Sequence, residues 1–437
     1  MKKIYINNIH KYINKKITLS AWVDKIRDLP YVQFIVLRDG TGKVQVTIEK
    51  NEQNSRLNQI VSSLTLESII TVKGVLTKNE HVKLNGMEII PTDIIIDNLA
   101  NPNLPIDIND KDKALRETRL DYRFLDLRRE DNLLLFKIQT AIEMAMREYW
   151  IKNNYIEIHS PKIGGASAES GALEFKLDYF GNKASLAQSP QFYKQMAMAA
   201  GFNKVFEIGP AFRAENSHTS YHASEIWMID IEIAWINNVN DVMDEVERWV
   251  KYFMRKLKKE YGEEIKNVFN VEVSEVKNKF PRISFADAKK IIKEKYNYVA
   301  EKENDFDRRE EELICKYAKE KYNSDFVFIT KYPFEARPFY HMLDKNGLTE
   351  SYDLLFKGLE IATGAQREHR YDILKKQVVE KGINIKSLNF YLDFFKYGCP
   401  PHGGMGFGLG RLLMQIFEID NIREVTYVYR GPSRLYP

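Results

Sequence analysis

Short stretches in which apolar and polar residues alternate fill the first hundred positions of the chain. Residues 17–23, 34–39, 43–48, 68–75 and 87–90 read as strands, and Asp39, Gly40, Thr41 and Gly42 mark a turn between two of them. A polar, helix-compatible stretch at 51–63 follows the third strand. Five strands with a helix after the third form the pattern of an OB-fold barrel, a generic small β-barrel being the alternative. Pro102 and Pro105 then break regular structure, and residues 101–130 read as a linker. Leu134, Ile138, Ile142, Met146 and Trp150 recur at four-residue spacing and predict a helix over 131–153. Asn153 and Asn154 end it, and a strand ended by Pro161 follows. Strand signals dominate 184–236 around a helix near 191–200; residues 240–325 are largely helical and highly charged. Strands return at 326–330 and 353–363, and helices at 372–380 and 387–396 precede a glycine-rich turn. The alternation is irregular, which predicts an α+β fold with an antiparallel sheet rather than a doubly wound parallel one. The organisation expected is a barrel domain at 1–100, a linker at 101–130 and a larger domain at 131–437.

Composition narrows the class. With 437 residues and 44% hydrophobic content the chain has ample material for two or three cores. No run approaches the ~18–20 apolar residues that span a bilayer. The segment after Met1, Lys2 and Lys3 is too polar for a signal peptide. Two cysteines, Cys315 and Cys399, lack ligand-like spacing, so neither a disulfide framework nor a zinc cluster is expected, and a reducing cytoplasm is. The net charge of +4 permits nucleic-acid binding without demonstrating it. The lysine-rich run at 251–259 reads as a solvated helix face.

Three constellations carry candidate chemistry. The first is Phe212, Arg213, Ala214 and Glu215, then a polar loop, then Tyr221, His222, Ala223, Ser224 and Glu225. Apolar strands flank the loop, so it reads as a hairpin with charges at its mouth, where an Arg can bridge a phosphate and a carboxylate. The second is the glycine-rich run from Gly403 to Arg411 leading into an apolar helix. It suits close backbone approach to a ligand and an anion at a helix N-terminus. It lacks the Lys-Ser/Thr ending of a P-loop, and no βαβ unit surrounds it. The third is Asp353 and Glu360, seven residues apart. That spacing puts them on opposite faces of a regular strand. A turn or bulge at Lys357 and Gly358 would bring them together as a carboxylate pair able to hold Mg²⁺ through phosphates, two unrelated charges being the alternative.

In their order along the chain these features resemble the three signature motifs of class II aminoacyl-tRNA synthetases. Motif 1 matches the helix and strand ending at Pro161, motif 2 the hairpin from Phe212 to Glu232, and motif 3 the run from Gly406 to Arg411. The OB-like domain ahead of them points to the subgroup for Asp, Asn and Lys. The segment Gln188, Ser189, Pro190, Gln191, Phe192, Tyr193, Lys194 is similar to the aspartate-recognition segment of aspartyl-tRNA synthetases of archaeal and eukaryotic type. A lysine ammonium has donors and no acceptor, so it suits a carboxylate better than an amide NH₂. Gly171, the segment from Gly358 to Arg367, and Pro400, Pro401, His402 and Gly403 extend the match nearly end to end.

The resemblance implies an aspartate–tRNA ligase that uses ATP and Mg²⁺ as a homodimer, with L-aspartate and tRNA(Asp) as substrates and tRNA(Asn) left open. It implies that Arg213, Glu215, His222, Gly408 and Arg411 bind ATP, with Arg213, Glu215 and Arg411 catalytic, and that Asp353 and Glu360 hold the metal as part of the ATP site. Glu169, Ser189, Gln191, Lys194, Asp230, Thr363, Arg367 and His402 would surround aspartate. Phe34, Gln45, Arg27 and Glu88 would meet anticodon bases, which are read by stacking and edge contacts; the alternative for Phe34 is the barrel core. The chain departs from the family pattern at Tyr221, Ile226 and Gly410, where relatives carry Arg, Phe and an acidic residue, and in its C-terminal run from Tyr429 to Leu435. Three other readings stay open: a tRNA-independent asparagine synthetase, an asparaginyl enzyme, and a non-catalytic RNA-binding paralogue.

Overall fold

The computed structural model describes residues 4–165 and 173–437 in two compact units, Met1–Arg129 and Glu130–Pro437. Glu169 and Gly171 lie outside the described residues.

In the first unit, β1 (Lys16–Asp28), β2 (Val32–Asp39), β3 (Gly42–Glu49), β4 (Ile69–Lys78) and β5 (Met87–Asn98) close a barrel in the order β1-β2-β3-β5-β4. Helix α1 (Ser55–Ser63) follows the third strand. Strand alternation sends Val23, Ile35, Leu37, Val46, Val72 and Ile89 inward to a shared core. Phe34 is not part of that core; it is half-buried on the other face of its strand. Two short helices, α2 (Arg116–Asp121) and α3 (Arg123–Asp126), complete the unit. Asp126 is fully buried there and bonds Arg119 and Arg123.

The second unit opens with α4 (Glu130–Lys152) and the short β6 (Ile156–Glu157). A small sheet of β7 (Ile163–Gly164), β8 (Lys176–Tyr179) and β9 (Asn182–Leu186) leads to α5 (Gln191–Ala199). The hairpin β10 (Lys204–Phe212) and β11 (Glu225–Ala234) and the 31-residue α6 (Val239–Phe269) come next. Then follow β12 (Arg282–Ser284), α7 (Phe285–Tyr296), α8 (Arg308–Tyr322) and β13 (Phe326–Thr330). A second hairpin, β14 (Ser351–Phe356) and β15 (Leu359–Gln366), precedes α9 (Tyr371–Glu380), α10 (Asn389–Lys396), β16 (His402–Gly408), α11 (Leu409–Phe417) and α12 (Ile422–Val425). Among the described residues no helix is long and apolar enough to cross a membrane.

Eight strands form the main sheet in the order β12-β13-β14-β15-β16-β11-β10-β6. Its centre is antiparallel, as expected, and each edge adds one parallel pair. Register explains why one face is a core and the other a site. Tyr352, Met405, Ile231 and Phe206 share one face and pack with Val246, Trp249, Val250 and Phe253 of α6. One residue along, Asp353, Thr363, Gly406, Asp230 and Glu207 lie in register across the opposite face.

One expectation needs correction. The glycine-rich segment from Gly403 to Gly408 is a central strand, β16, rather than a turn. Glycine is required because a Cβ on Gly404 would lie 2.0 Å from the Ile231 carbonyl oxygen and 2.2 Å from a Glu232 carboxylate oxygen. Of the turn or bulge expected at Lys357 and Gly358, the structure has the turn and not the bulge. They are the two-residue turn of the β14–β15 hairpin, with φ of 46° and 87°, both left-handed as such a tight hairpin demands. The register shift lies further on, at Ile361: Leu354 pairs with Ala362, but Leu355 pairs with Glu360. That one extra residue inverts the parity of β15 and turns Glu360 to the face of Asp353 and Thr363.

Candidate active site

The polar face of the sheet floors a cavity of about 700 Å³. Arg213, Glu215, His222, Glu360, Thr363, Gly408 and Arg411 line one part of it. Ser189, Gln191, Asp230 and Arg367 line another. Thus residues from separate stretches of sequence meet in one chamber. Lys194, Asp353 and His402 are not in its lining; they are buried behind it.

At the first part, Phe212 pairs with Glu225 to close the motif 2 hairpin, so Arg213, Glu215 and His222 hang from its loop. Arg411, in the first turn of α11, lies 3.3 Å from Glu360 Oε2 and donates to the Glu360 carbonyl at 3.1 Å. Thr363 Oγ1 is 2.8 Å from Asp353 Oδ1 and 3.0 Å from Glu360 Oε1, so both carboxylates converge on one hydroxyl. Asp353 is also gripped by Arg337, at 2.9 and 2.5 Å. Burial lifts the Asp353 carboxyl above its ordinary range, Arg337 opposing and Glu360 adding to the lift. Burial pushes Glu360 upward too, but Arg411 and Arg337 outweigh it and hold that carboxyl low. Burial and Arg411 lower the His222 imidazole. Two hard oxygen donors on one face suit Mg²⁺, which keeps several waters and uses one or two carboxylates beside phosphates. Among the described residues no three His, Cys, Asp or Glu cluster into a metal cage.

The other part is a buried ion lattice. Lys194 Nζ is 2.7 Å from Asp230 Oδ1, 2.9 Å from the Met405 carbonyl and 3.6 Å from Glu232 Oε2. Arg367 reaches both oxygens of Glu232, at 2.9 and 3.3 Å. All four side chains are at most 3% exposed. Glu232 is pushed up by burial but held low by Arg367 and Lys194. Burial wins at Asp230 and raises its carboxyl in spite of Lys194.

Several residues here escaped the sequence reading. Arg337 sits alone in an irregular segment with no motif around it. Glu232 was visible at the end of the hairpin but carried no assigned role. Gln195, one residue after Lys194, bonds Gln191 and His402. Of the departures, Tyr221 lies under the guanidinium of Arg308, 4.8 Å from its ring centroid. Ile226 and Gly410 both line the cavity.

On the barrel, Arg27 pairs with Phe34, Phe34 with Thr47, and Gln45 with both Val36 and Glu88, so the four expected residues share one outward face. Glu88 is anchored by Asn79 at 2.6 Å and by the Thr47 hydroxyl.

A barrel that bears an aromatic and an amide on one face, and an antiparallel sheet that carries the motif 2 arginine, a carboxylate pair and the motif 3 arginine, define a class II synthetase. Residues 115–429 match the family of tRNA synthetases class II (D, K and N), and residues 17–97 match the OB-fold nucleic acid binding domain. The chain belongs to that class II family. It is 42% identical over 436 residues to aspartate–tRNA(Asp) ligase of Pyrococcus horikoshii, covering 99% of each chain. It is 40% identical to aspartate–tRNA(Asp/Asn) ligase of Aeropyrum pernix, covering 97% of this chain and 96% of that one. Among solved structures, asparaginyl-tRNA synthetase from Pyrococcus horikoshii complexed with asparaginyl-adenylate superposes with a TM-score of 0.91 at 29% identity over 100% of both chains. Aspartyl tRNA synthetase from Entamoeba histolytica gives 0.87 at 32% identity, over 100% of this chain and 93% of that one.

Proposed function

We propose that this chain is an aspartate–tRNA ligase. It activates L-aspartate with ATP and transfers the aspartyl group to the 3′ end of tRNA(Asp), with tRNA(Asn) as the second acceptor to test. The observation that carries the amino-acid choice is the pair of buried cations, Lys194 and Arg367, fixed beside the cavity by Asp230 and Glu232. A side-chain carboxylate meets donors on that wall. An amide NH₂ there would turn its protons toward those same donors. One observation favours asparagine as a second reading: Asp230 Oδ2 has no hydrogen-bond partner among the described residues and could accept from an amide.

The first step joins the aspartate α-carboxylate to the α-phosphorus of ATP and releases pyrophosphate. The nucleophile is already ionised, so the protein supplies position and charge rather than a base. Arg213 steadies the α-phosphate and the carboxylate. Glu215, His222 and Gly408 hold the nucleotide, and Arg411 takes the terminal phosphate. Asp353 and Glu360 would hold Mg²⁺, which neutralises phosphate charge when bound. Ser189, Gln191 and Thr363 complete the aspartate side, with His402 behind them, and Glu169 is assigned the α-amino group. In the second step the ribose hydroxyl of tRNA attacks the adenylate, while Phe34, Gln45, Arg27 and Glu88 meet the anticodon. We assign the enzyme to the cytoplasm as a homodimer, which exposed Met144 and Ile151 on α4 support. We further take 1–100 as the anticodon domain, 101–130 as the hinge and 131–437 as the catalytic domain.

ATP–pyrophosphate exchange with aspartate, asparagine and lysine offered separately tests the reading. Exchange with aspartate alone is expected. Exchange with asparagine, or with none of the three, overturns it. Charging of tRNA(Asp) and tRNA(Asn) transcripts then decides the acceptor.

A further inference from the structure

Behind Gln191 runs a buried chain of hydrogen bonds whose direction is fixed at its far end. His402 Nδ1 lies 2.8 Å from the Pro400 carbonyl oxygen. A carbonyl only accepts, so Nδ1 carries the proton and donates. The ring is fully buried, and burial pushes its pKa down to about 4, so it is neutral and Nε2 is an acceptor. The Gln195 amide nitrogen sits 2.9 Å from Nε2 and donates to it. That leaves the Gln195 oxygen to accept from the Tyr391 hydroxyl at 3.0 Å and from Gln191 Nε2 at 2.8 Å. The nitrogen of the Gln191 amide is therefore engaged inside the protein. Its oxygen has no partner among the described residues, and Gln191 lines the cavity beside Ser189 and Asp230. The alternative orientation of either glutamine would set two donors or two acceptors against each other deep in the fold, where the low dielectric makes such a mismatch costly.

We propose that Gln195, His402 and Tyr391 are positioning residues that lock the Gln191 amide with its oxygen toward the cavity, so that this point of the wall selects the α-ammonium group of the amino acid. The inference rests on the aspartate reading above and adds to it a mechanism of polarity. An amide oxygen attracts the three donors of an ammonium and repels both carboxylates of aspartate. His402 then acts without touching substrate, through two glutamines.

The test compares aspartate with succinate, which keeps both carboxylates and lacks the ammonium. Affinities of the full-length protein for each are measured by calorimetry, with ATP affinity as the check on an intact site, in the wild type and in Gln191→Met, Gln195→Met and His402→Leu. Each substitution is expected to weaken aspartate about 10- to 100-fold, the range for a hydrogen bond to a charged group, and to leave succinate nearly unchanged. Gln195→Glu still accepts from Tyr391 and Gln191, so it is expected to retain more aspartate affinity than Gln195→Met. Parallel losses for aspartate and succinate, or none for aspartate, overturn the relay. Should His402→Leu fail to fold, Gln191→Met, at the cavity surface, reads the same contrast. A wild type without aspartate-dependent exchange would instead refute the aspartate reading itself.

Discussion

The two ends of the cavity hold their charges in different ways. At the end proposed to hold aspartate, Lys194, Asp230, Glu232 and Arg367 neutralise one another in the interior, and hydrogen bonds fix each of them. At the end proposed to hold the nucleotide, Arg213 and His222 are exposed on a hairpin loop, and Arg411 and Glu360 are only partly covered. The difference follows from the size of what must be told apart. Aspartate and asparagine differ by one polar group, and only buried, fully committed partners make the wrong group costly. ATP brings several charges and can be gripped from a looser frame. The aspartate end should therefore tolerate little change, and the nucleotide end more.

The largest expected effect comes from Lys194→Met. It strips Asp230 and Glu232 of one of two cations, and breaking a buried pair costs about 3–5 kcal/mol. Aspartate-dependent exchange should fall by at least about a hundredfold, while ATP affinity, measured by calorimetry, stays near wild type. Equal losses for both substrates would break the distinction between the ends.

Acid should also strike the aspartate end first. His402 titrates near 6.5 when unfolded and at about 4 when folded, because burial disfavours its charged form; Glu232 pulls it upward, and Arg367 and His369 push it downward. The stability it contributes is thus present above pH 6.5 and is lost as pH falls toward 4. Between those values the loss approaches ~1.4 kcal/mol for each step of one in pH. Urea melts at pH 7.5 and 4.5 should show this loss, and His402→Gln should flatten it. An acid slope identical to wild type would remove His402 from the account. Burial lowers the His341 imidazole as well, so part of the loss will remain.

Arg411→Gln is expected to be milder. It removes a partly exposed cation, so ATP KM should rise about tenfold, the lower end of the range for a charged hydrogen bond. Aspartate KM should hold, and thermal stability should move by no more than about 0.5 kcal/mol. A comparable rise in aspartate KM would show that the two ends are coupled.

How much of this could be read from the chain differs between the same two regions. The residues proposed for the nucleotide were picked out because they sit in local patterns: a strand, a charged loop and a strand around Arg213, and glycines running into a helix at Arg411. The barrel was legible for the same reason, since its alternation sends Ile35 and Leu37 inward and Phe34 outward. The residues proposed for aspartate were picked out only through resemblance. Lys194, Glu232 and Arg367 are far apart in sequence, and single charges on a helix or strand carry no periodic signal. Arg337 and Gln195 were missed because their partners, Asp353 and His402, are fixed by sheet register, which no local pattern encodes. The turn at Lys357 and Gly358 was legible from its glycine, whereas the bulge at Ile361 was not, because the bulge residue is an ordinary apolar one.

Gly410→Ala should have the smallest effect, and it sharpens the comparison most economically. Gly410 is in the first turn of α11 and lines the cavity beside Arg411. An alanine in a helix gains about 0.5–1 kcal/mol over glycine. Against this, its Cβ would sit 3.2 Å from the Ile422 side chain, which must give by a few tenths of an ångström. The two effects oppose, so stability should change by less than about 1 kcal/mol. No charge is added or lost, so ATP KM should stay within about threefold, less than the ~1.4 kcal/mol that a tenfold change represents. A loss of ATP binding as large as that of Arg411→Gln would mean that the nucleotide end is packed as tightly as the aspartate end, and the tolerance argued for it would be wrong.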